Sequence, residues 1–217
     1  MNYFCHGRRF VDDPYFLAGT AIPDWLSIID RKVRVRSKHA QAYVNNADPQ
    51  LSAIARGVVQ HHHDDGWFHA TGAFLQLSMG TAVLLREKLP PDDSLRTGFL
   101  GHILVELLLD WVLIDEQPQL LERYYAALSS IDPQVIEQAV NEMSPGSTDR
   151  MAWLIPRFVD EGFLWDYADD DKLMVRLNQV LRRVRLPPLS EEFLEVLPVA
   201  RSSVQARRHD LLPEDRN

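Results

Sequence analysis

The segment from Gly101 to Asp110 constrains the fold of this chain more than any other part of the sequence. Its side chains are aliphatic apart from His102, Glu106 and Asp110, and their spacing of four places these three on one face of a helix. A helix that is apolar nearly all round is buried, so we expect its polar groups to be buried with it. Because an unpaired buried carboxylate is strongly destabilising, the segment requires a metal ion, a basic side chain or another polar helix as its partner.

Helical periodicity also dominates the rest of the chain. No long run alternates apolar and polar residues with the β-branched enrichment typical of strands. With 217 residues, of which 46% are hydrophobic, the chain is long enough for one sizeable core. We therefore predict an all-α, single-domain helical bundle over residues 1–200, followed by a polar C-terminal tail over residues 201–217 that frays.

Prolines and capping residues predict where the helices begin and end. The N-terminal segment is expected to be irregular to about Pro23, with a helix from Asp24. A later helix, capped by Asp92, Asp93 or Ser94, is expected to run to about residue 114. The other helices are predicted over about 49–68, 71–88, 118–128, 133–143 and 169–184, with further starts near 148 and 190.

A second polar stripe lies at the end of the helix predicted over about 49–68. His61, Asp65 and His69 are again spaced four and four, so on a helix they share one face. Their neighbours lie on other faces: His62, His63 and Asp64. His63 and Asp64 stay open as an alternative pair of ligands at adjacent positions.

Two further ligands are predicted near the N-terminus. One is His6, and the other is Asp24, which follows Gly19 and Pro23. Gly19 and Pro23 are expected to bend and stiffen the backbone, so the carboxylate of Asp24 is predicted at the start of a helix. There the helix dipole would favour its ionised, metal-binding form.

Eight histidines and carboxylates at such spacing predict a divalent metal centre. The predicted ligands are His6, Asp24, His61, Asp65, His102 and Glu106, with His69 and Asp110 as additional ligands or supporting groups. This mixture of imidazoles and carboxylates suits Mn²⁺, Fe²⁺ or Zn²⁺, as one ion or as two. A buried network of histidines and carboxylates that joins helices without a metal stays open as the alternative.

The predicted donor set indicates hydrolysis of a phosphodiester or phosphomonoester, because a divalent ion activates water and neutralises charge on a phosphoryl oxygen. The general acid or base is predicted among His69, His62 and His63. No phosphate-cradling glycine loop is present, and the single cysteine, Cys5, excludes a structural zinc finger. A non-catalytic helical scaffold or binding protein with a degenerate metal site is the second hypothesis.

Charge and hydropathy limit the partners of the protein. The net charge of −8 disfavours nucleic acid, although basic residues cluster over 31–38 and 182–185. No apolar stretch is long enough to span a bilayer, and the N-terminus has no secretory pattern. These features, with one cysteine, predict a cytoplasmic location.

Three short segments resemble the acyl carrier protein phosphodiesterase family. Met1–His6 resembles the opening Met-Asn-(aromatic)-Leu-Ala-His of that family, and Gly19–Asp24 resembles its Gly-Asn-x-x-x-Asp segment. Gly57–His69 is similar to its Gly-x-x-x-His-Arg-Arg-x-Asp-x-x-x-Asp segment, and His102 and Glu106 fall where the family has paired aspartates. The resemblance covers roughly the first half of the chain.

The resemblance implies a helical fold like that of HD-domain phosphohydrolases, Mn²⁺ as the metal, and removal of the phosphopantetheine arm from holo acyl carrier protein. The sequence departs from the family pattern at three positions of the third segment. His62 and His63 replace two arginines, and His69 replaces the final aspartate. The histidine-rich set is also similar to that of zinc-dependent phospholipase C.

Overall fold

The computed structural model describes residues 1–90 and 95–213, and all regular elements within these ranges are helical. The all-α class predicted from the sequence is confirmed. The α-helices are α1 (Tyr3–Gly7), α2 (Pro14–Ile29), α3 (Ser37–Ala40), α4 (Pro49–Phe68), α5 (Gly72–Lys88), α6 (Thr97–Glu116), α7 (Pro118–Ser129), α8 (Pro133–Met143), α9 (Met151–Glu161), α10 (Asp170–Arg183), α11 (Leu197–Ala206) and α12 (Arg208–Leu211). Short 3₁₀ helices cover Arg8–Phe10, Gln41–Tyr43, Phe163–Ala168 and Glu191–Glu195.

Local capping explains why several predicted boundaries are confirmed. Thr71 caps α5 by accepting a hydrogen bond from the backbone N–H of Phe74 at 3.2 Å. Asp132 caps α8 in the same way through the N–H of Gln134, ahead of a proline in the first turn. The predicted caps at 92–94 lie outside the described residues.

The N-terminal region differs from the prediction, because it is helical rather than irregular. Asp13 caps α2 through the N–H of Phe16, and Pro14 occupies the first turn. Pro23 lies inside α2 without ending it, since burial of apolar side chains such as Trp25 outweighs the lost backbone hydrogen bond. Asp24 therefore lies in the interior of a helix, and the predicted position at a helix N-terminus was wrong.

The C-terminal region also differs from the prediction of a frayed tail from residue 201. Helices α11 and α12 extend to Leu211, and both Leu211 and Leu212 are buried. The guanidinium of Arg201 bonds Asp170 and lies over the ring of Trp111 at 4.4 Å from its centroid. Tertiary contacts of this kind order a segment whose polar composition suggested fraying.

The chain packs as two compact units. Unit 1 contains Met1 with residues 3–66 and 117–163, and unit 2 contains Asn2 with residues 67–116 and the described residues from 164 onward. In unit 1, α2 packs against α1, α7, α8 and α9. In unit 2, α6 packs against α5 and α11.

Helix α6 is long and apolar enough to cross a membrane by composition alone, with a mean hydropathy of 1.7. However, 67% of the 18-residue apolar stretch of α6 is buried inside the protein. Such burial is typical of the central helix of a protein core. Helices α4 and α5 reach the length and hydropathy of a membrane span only when they are taken together, and the chain bends by 70° between them. The residues described here therefore contain no clear membrane span.

Candidate metal centre

A close crossing of α2 and α4 in unit 1 sets the backbone around the first group of ligands. Gly19 and Gly57 meet at this crossing: a Cβ on Gly57 would collide with the carbonyl oxygen of Phe16 and lie 2.8 Å from the Cα of Gly19. Only two glycines allow the helices to approach this far. Thr20 follows Gly19, and His61 lies one turn after Gly57, so the crossing brings these two residues together.

The imidazole of His61 is oriented by this crossing. Its Nδ1 lies 2.8 Å from the backbone carbonyl oxygen of Thr20. Because a carbonyl oxygen only accepts hydrogen bonds, Nδ1 carries the proton and Nε2 keeps its lone pair. That lone pair is the form of histidine that binds a cation, and the backbone bond is the usual way to fix such a ring.

The first ligand group, which we call the His6 site, consists of His6, His61 and Asp65. Each residue offers one ligand atom, and these atoms lie within 4.8 Å of one another. The Nε2 of His6 is 3.3 Å from Asp65 Oδ1, and the Nε2 of His61 is 3.5 Å from Asp65 Oδ2. The two imidazoles stack with their centroids 4.1 Å apart. A carboxylate thus faces two imidazoles in one small volume.

His6 is the residue that best fits a role in cation binding. It is 1% exposed, yet neither of its ring nitrogens makes a hydrogen bond of proper geometry. Asp64 and Asp65 face the two nitrogens at 3.7 Å and 3.3 Å, so the contacts are electrostatic rather than directional. Buried imidazole nitrogens without hydrogen bonds are unfavourable, and a coordinated cation would satisfy one of them.

The electrostatics of the His6 site favour the metal-binding protonation states of Asp65 and His61. Burial raises the pKa of Asp65, but His6, the amino group of Met1 at 2.7 Å and His61 lower it well below its usual range, so the carboxylate is ionised. Burial, followed by the charge of His6, lowers the pKa of His61 well below its ordinary value. The pKa of His6 is raised, because Asp64 and Asp65 outweigh the effect of burial.

The second ligand group, which we call the His69 site, lies in unit 2 and consists of His69, His102 and Glu106. The Nε2 atoms of His69 and His102 lie 2.7 Å and 3.3 Å from the same carboxylate oxygen, Oε1 of Glu106. The ring of Phe74 packs within 5.0 Å of both imidazole centroids. Burial raises the pKa of Glu106, but positive charge and hydrogen bonds from the two histidines lower it below its usual range.

The close packing of α5 and α6 positions the His69 site. A Cβ on Gly101 would lie 2.6 Å from the backbone oxygen of Ser78 on α5, so α6 lies directly against α5 at this point. His102 follows Gly101, and Glu106 lies one turn later. His102 was expected to be buried, but its side chain is 39% exposed, whereas the expected burial of Glu106 is confirmed.

The predicted stripe of His61, Asp65 and His69 is divided between the two sites. Helix α4 ends at Phe68, so His69 follows the helix rather than lying on its face. Its side chain joins His102 and Glu106 instead, and His6 completes the group around Asp65.

Several predicted site residues belong to neither ligand group. Asp110 is fully buried and accepts a hydrogen bond from the Asn2 amide at 2.8 Å. The Nε2 of His62 donates to the carbonyl oxygen of Val35, and the side chain of His63 is 67% exposed. Asp24, inside α2, is likewise absent from both groups.

Sequence reasoning missed the supporting residues of the His6 site. Gln60 donates to Asp64 Oδ1 at 2.8 Å and thereby holds the carboxylate that faces His6. The carbonyl of Thr20 leaves no trace in a side-chain pattern, since any residue carries one. The pair of glycines at 19 and 57 was the only available signal, because a glycine inside a helix often marks a close approach.

Comparisons with known proteins identify no family for this chain. No protein-family model matches the chain, and no curated protein or solved structure matches it.

The lowered pKa of His61 predicts a pH dependence of stability in the metal-free protein. The folded imidazole stays neutral, whereas the unfolded one takes up a proton below its ordinary pKa of 6.5. The unfolded state therefore binds more protons, and the contribution of His61 falls as the pH falls. We expect the difference in free energy of unfolding between the wild type and His61→Gln to shrink from pH 7.5 to pH 5, by at most about 2 kcal/mol, the limit set by the ordinary pKa in the unfolded chain.

Urea denaturation in the presence of a chelator at several pH values measures this difference. His6 titrates with the opposite sign, since a raised pKa stabilises the folded state below pH 6.5, but it is present in both proteins. A difference that stays constant or widens on acidification would contradict the assignment of a neutral His61.

Proposed function

We propose that this protein is a metal-dependent hydrolase of a phosphodiester or phosphomonoester. The observation that carries the proposal is His6, a buried imidazole without a hydrogen bond at either nitrogen, beside an ionised Asp65 and a neutral His61. A cation would supply the missing interaction, and the mixture of imidazole and carboxylate donors suits Mn²⁺, Fe²⁺ or Zn²⁺. The His69 site offers the same donor types for a second ion.

When bound, such a cation activates water near neutral pH and neutralises charge on a phosphoryl oxygen. The residues of the chain supply the positioning. Thr20 orients His61, and Gln60 orients Asp64 towards His6. Of the histidines proposed for proton transfer, His63 is the most exposed, and His62 is bound through Nε2 to Val35. Because His69 is a ligand of the second ion, His63 is the better choice for a general acid.

A basic segment in unit 1 supports an acidic macromolecule as the substrate. Five cationic side chains between residues 31 and 38 are exposed, and none forms an ion pair within the described residues: Arg31, Lys32, Arg34, Arg36 and Lys38. Val33 and Val35 alternate with them and are buried, and the carbonyl of Val35 accepts from His62. The segment is thus fixed by this hydrogen bond to His62, which directly follows the ligand His61 in α4. Its charge fits the acyl carrier protein that the sequence resemblance implies.

The proposal is tested by assaying metal-free protein reconstituted with Mn²⁺, Fe²⁺ or Zn²⁺ on bis(p-nitrophenyl) phosphate, p-nitrophenyl phosphate and holo acyl carrier protein. We expect turnover with at least one metal and a loss of about 100-fold or more in His6→Gln. Binding of the metals without turnover on any substrate would favour the non-catalytic scaffold instead.

A further inference from the structure

The two ligand sites differ in their exposure to solvent. In the His6 site, the side chains of His6 and His61 are 0% and 4% exposed, and that of Asp65 is 31% exposed. In the His69 site, the side chains of His69 and His102 are 34% and 39% exposed, and only Glu106 is nearly covered. A cation bound by two buried imidazoles has less room for water than a cation bound by two half-exposed imidazoles, which keeps coordination positions for water or substrate.

The sites also differ in the hydrogen bonds that their histidine ligands make in the absence of a cation. The nitrogens of His6 make no hydrogen bond, so coordination by His6 breaks none, although Asp65 accepts a hydrogen bond from the amino group of Met1 at 2.7 Å. In the His69 site, the Nε2 of His69 already forms a 2.7 Å hydrogen bond with Glu106. That bond has to open for the same atoms to bind a cation, and a charge-assisted hydrogen bond is among the stronger ones. The histidine nitrogen is therefore not hydrogen-bonded at His6 but is hydrogen-bonded at His69, which favours tighter binding at the His6 site.

Orientation of the ligands adds to the same difference. The ring of His61 is fixed by Thr20, and Gln60 fixes the carboxylate of Asp64 beside His6. Partners that hold ligands in place typically raise metal affinity 10- to 100-fold. In the His69 site, the ring of Phe74 packs against both imidazoles.

We propose that the two sites have different roles in the hydrolase, an inference that rests on the proposed function. The His6 site holds its cation tightly, between two buried imidazoles. The His69 site binds a second cation weakly and in exchange with solvent, and the phosphoryl group of the substrate binds there.

Calorimetric titration of the metal-free protein with Zn²⁺ tests the first part. We expect two binding events whose Kd values differ by about 100-fold or more. His61→Ala should remove the tight event, and His102→Ala should remove the weak event alone. His209→Ala, a change of an exposed histidine outside both sites, should keep both. Glu106→Gln serves as a second variant of the His69 site if His102→Ala fails to fold, as judged by circular dichroism.

Cobalt absorption tests the second part with inorganic phosphate as the probe. Phosphate should change the visible spectrum of the wild-type protein that holds two equivalents of Co²⁺. It should leave unchanged the spectrum of the wild type with one equivalent and the spectrum of His102→Ala. A single binding event that His102→Ala leaves intact, or a phosphate response at the first equivalent, would overturn the division of roles while the metal hydrolase stands. Absence of any binding of Zn²⁺, Mn²⁺ or Co²⁺ would reject both.

Discussion

Replacing Gly57 by alanine is expected to lower the free energy of unfolding by about 3 kcal/mol, the upper range for overpacking of a tight contact. The new Cβ would collide with the carbonyl oxygen of Phe16 and lie within 3 Å of the backbone of Gly19 and Thr20. These atoms belong to a helix backbone and have no free rotamer to adopt. The greater helix propensity of alanine, about 1 kcal/mol, offsets only part of this strain.

Gly66 provides a matched control in the same helix. A Cβ at this position meets nothing within 4 Å, so Gly66→Ala is expected to be neutral or to stabilise the protein by up to about 1 kcal/mol. Urea denaturation of the two variants measures the contrast. Equal effects at both positions would show that α2 and α4 do not approach as closely as described.

The loss of metal binding in Gly57→Ala should exceed what its stability explains. Separating α2 from α4 moves the carbonyl of Thr20 away from Nδ1 of His61, which frees the ring to rotate. A variant that remains folded at low temperature should therefore bind Zn²⁺ more weakly than the wild type, by about 10-fold or more. Wild-type affinity in a folded Gly57→Ala protein would argue against this orienting role.

Asp65→Asn is expected to weaken cation binding at the His6 site by about 100-fold or more, which exceeds the usual effect of a supporting residue. Asp65 is the only anionic ligand of that site, and its pKa lies well below the usual range. An amide of the same shape removes the charge and one oxygen donor while it preserves the volume. Titration calorimetry with Mn²⁺ and Zn²⁺ measures the loss.

Two further variants show whether the effect belongs to coordination or to charge. Asp160→Asn makes the same change on the exposed surface of α9 and should leave the affinity unchanged. Asp64→Asn should have an intermediate effect of about 10-fold, because Asp64 faces His6 without belonging to the ligand group. An Asp65→Asn protein that binds cations as well as Asp160→Asn does would exclude the His6 site as a metal centre.

Local chemistry accounts for the part of the fold that could be predicted. The predicted bounds of α4 agree with the structure, and the predicted cap at Asp132 is confirmed. The central position of α6 followed from its nearly uninterrupted aliphatic sequence. The errors at Pro23 and after residue 200 have one origin: burial of distant apolar side chains stabilised helices that local signals disfavoured.

The sequence by itself determined the helical class and the residue types available to a cation, because helix periodicity and side-chain chemistry are local properties. Only the tertiary structure decided how those residues are grouped. His6 meets His61 across 55 residues, and His69 leaves the face of α4 where the helix ends to join Glu106. Such groupings depend on helix crossings like that of Gly19 and Gly57, which backbone packing sets and which spacing along one helix does not encode.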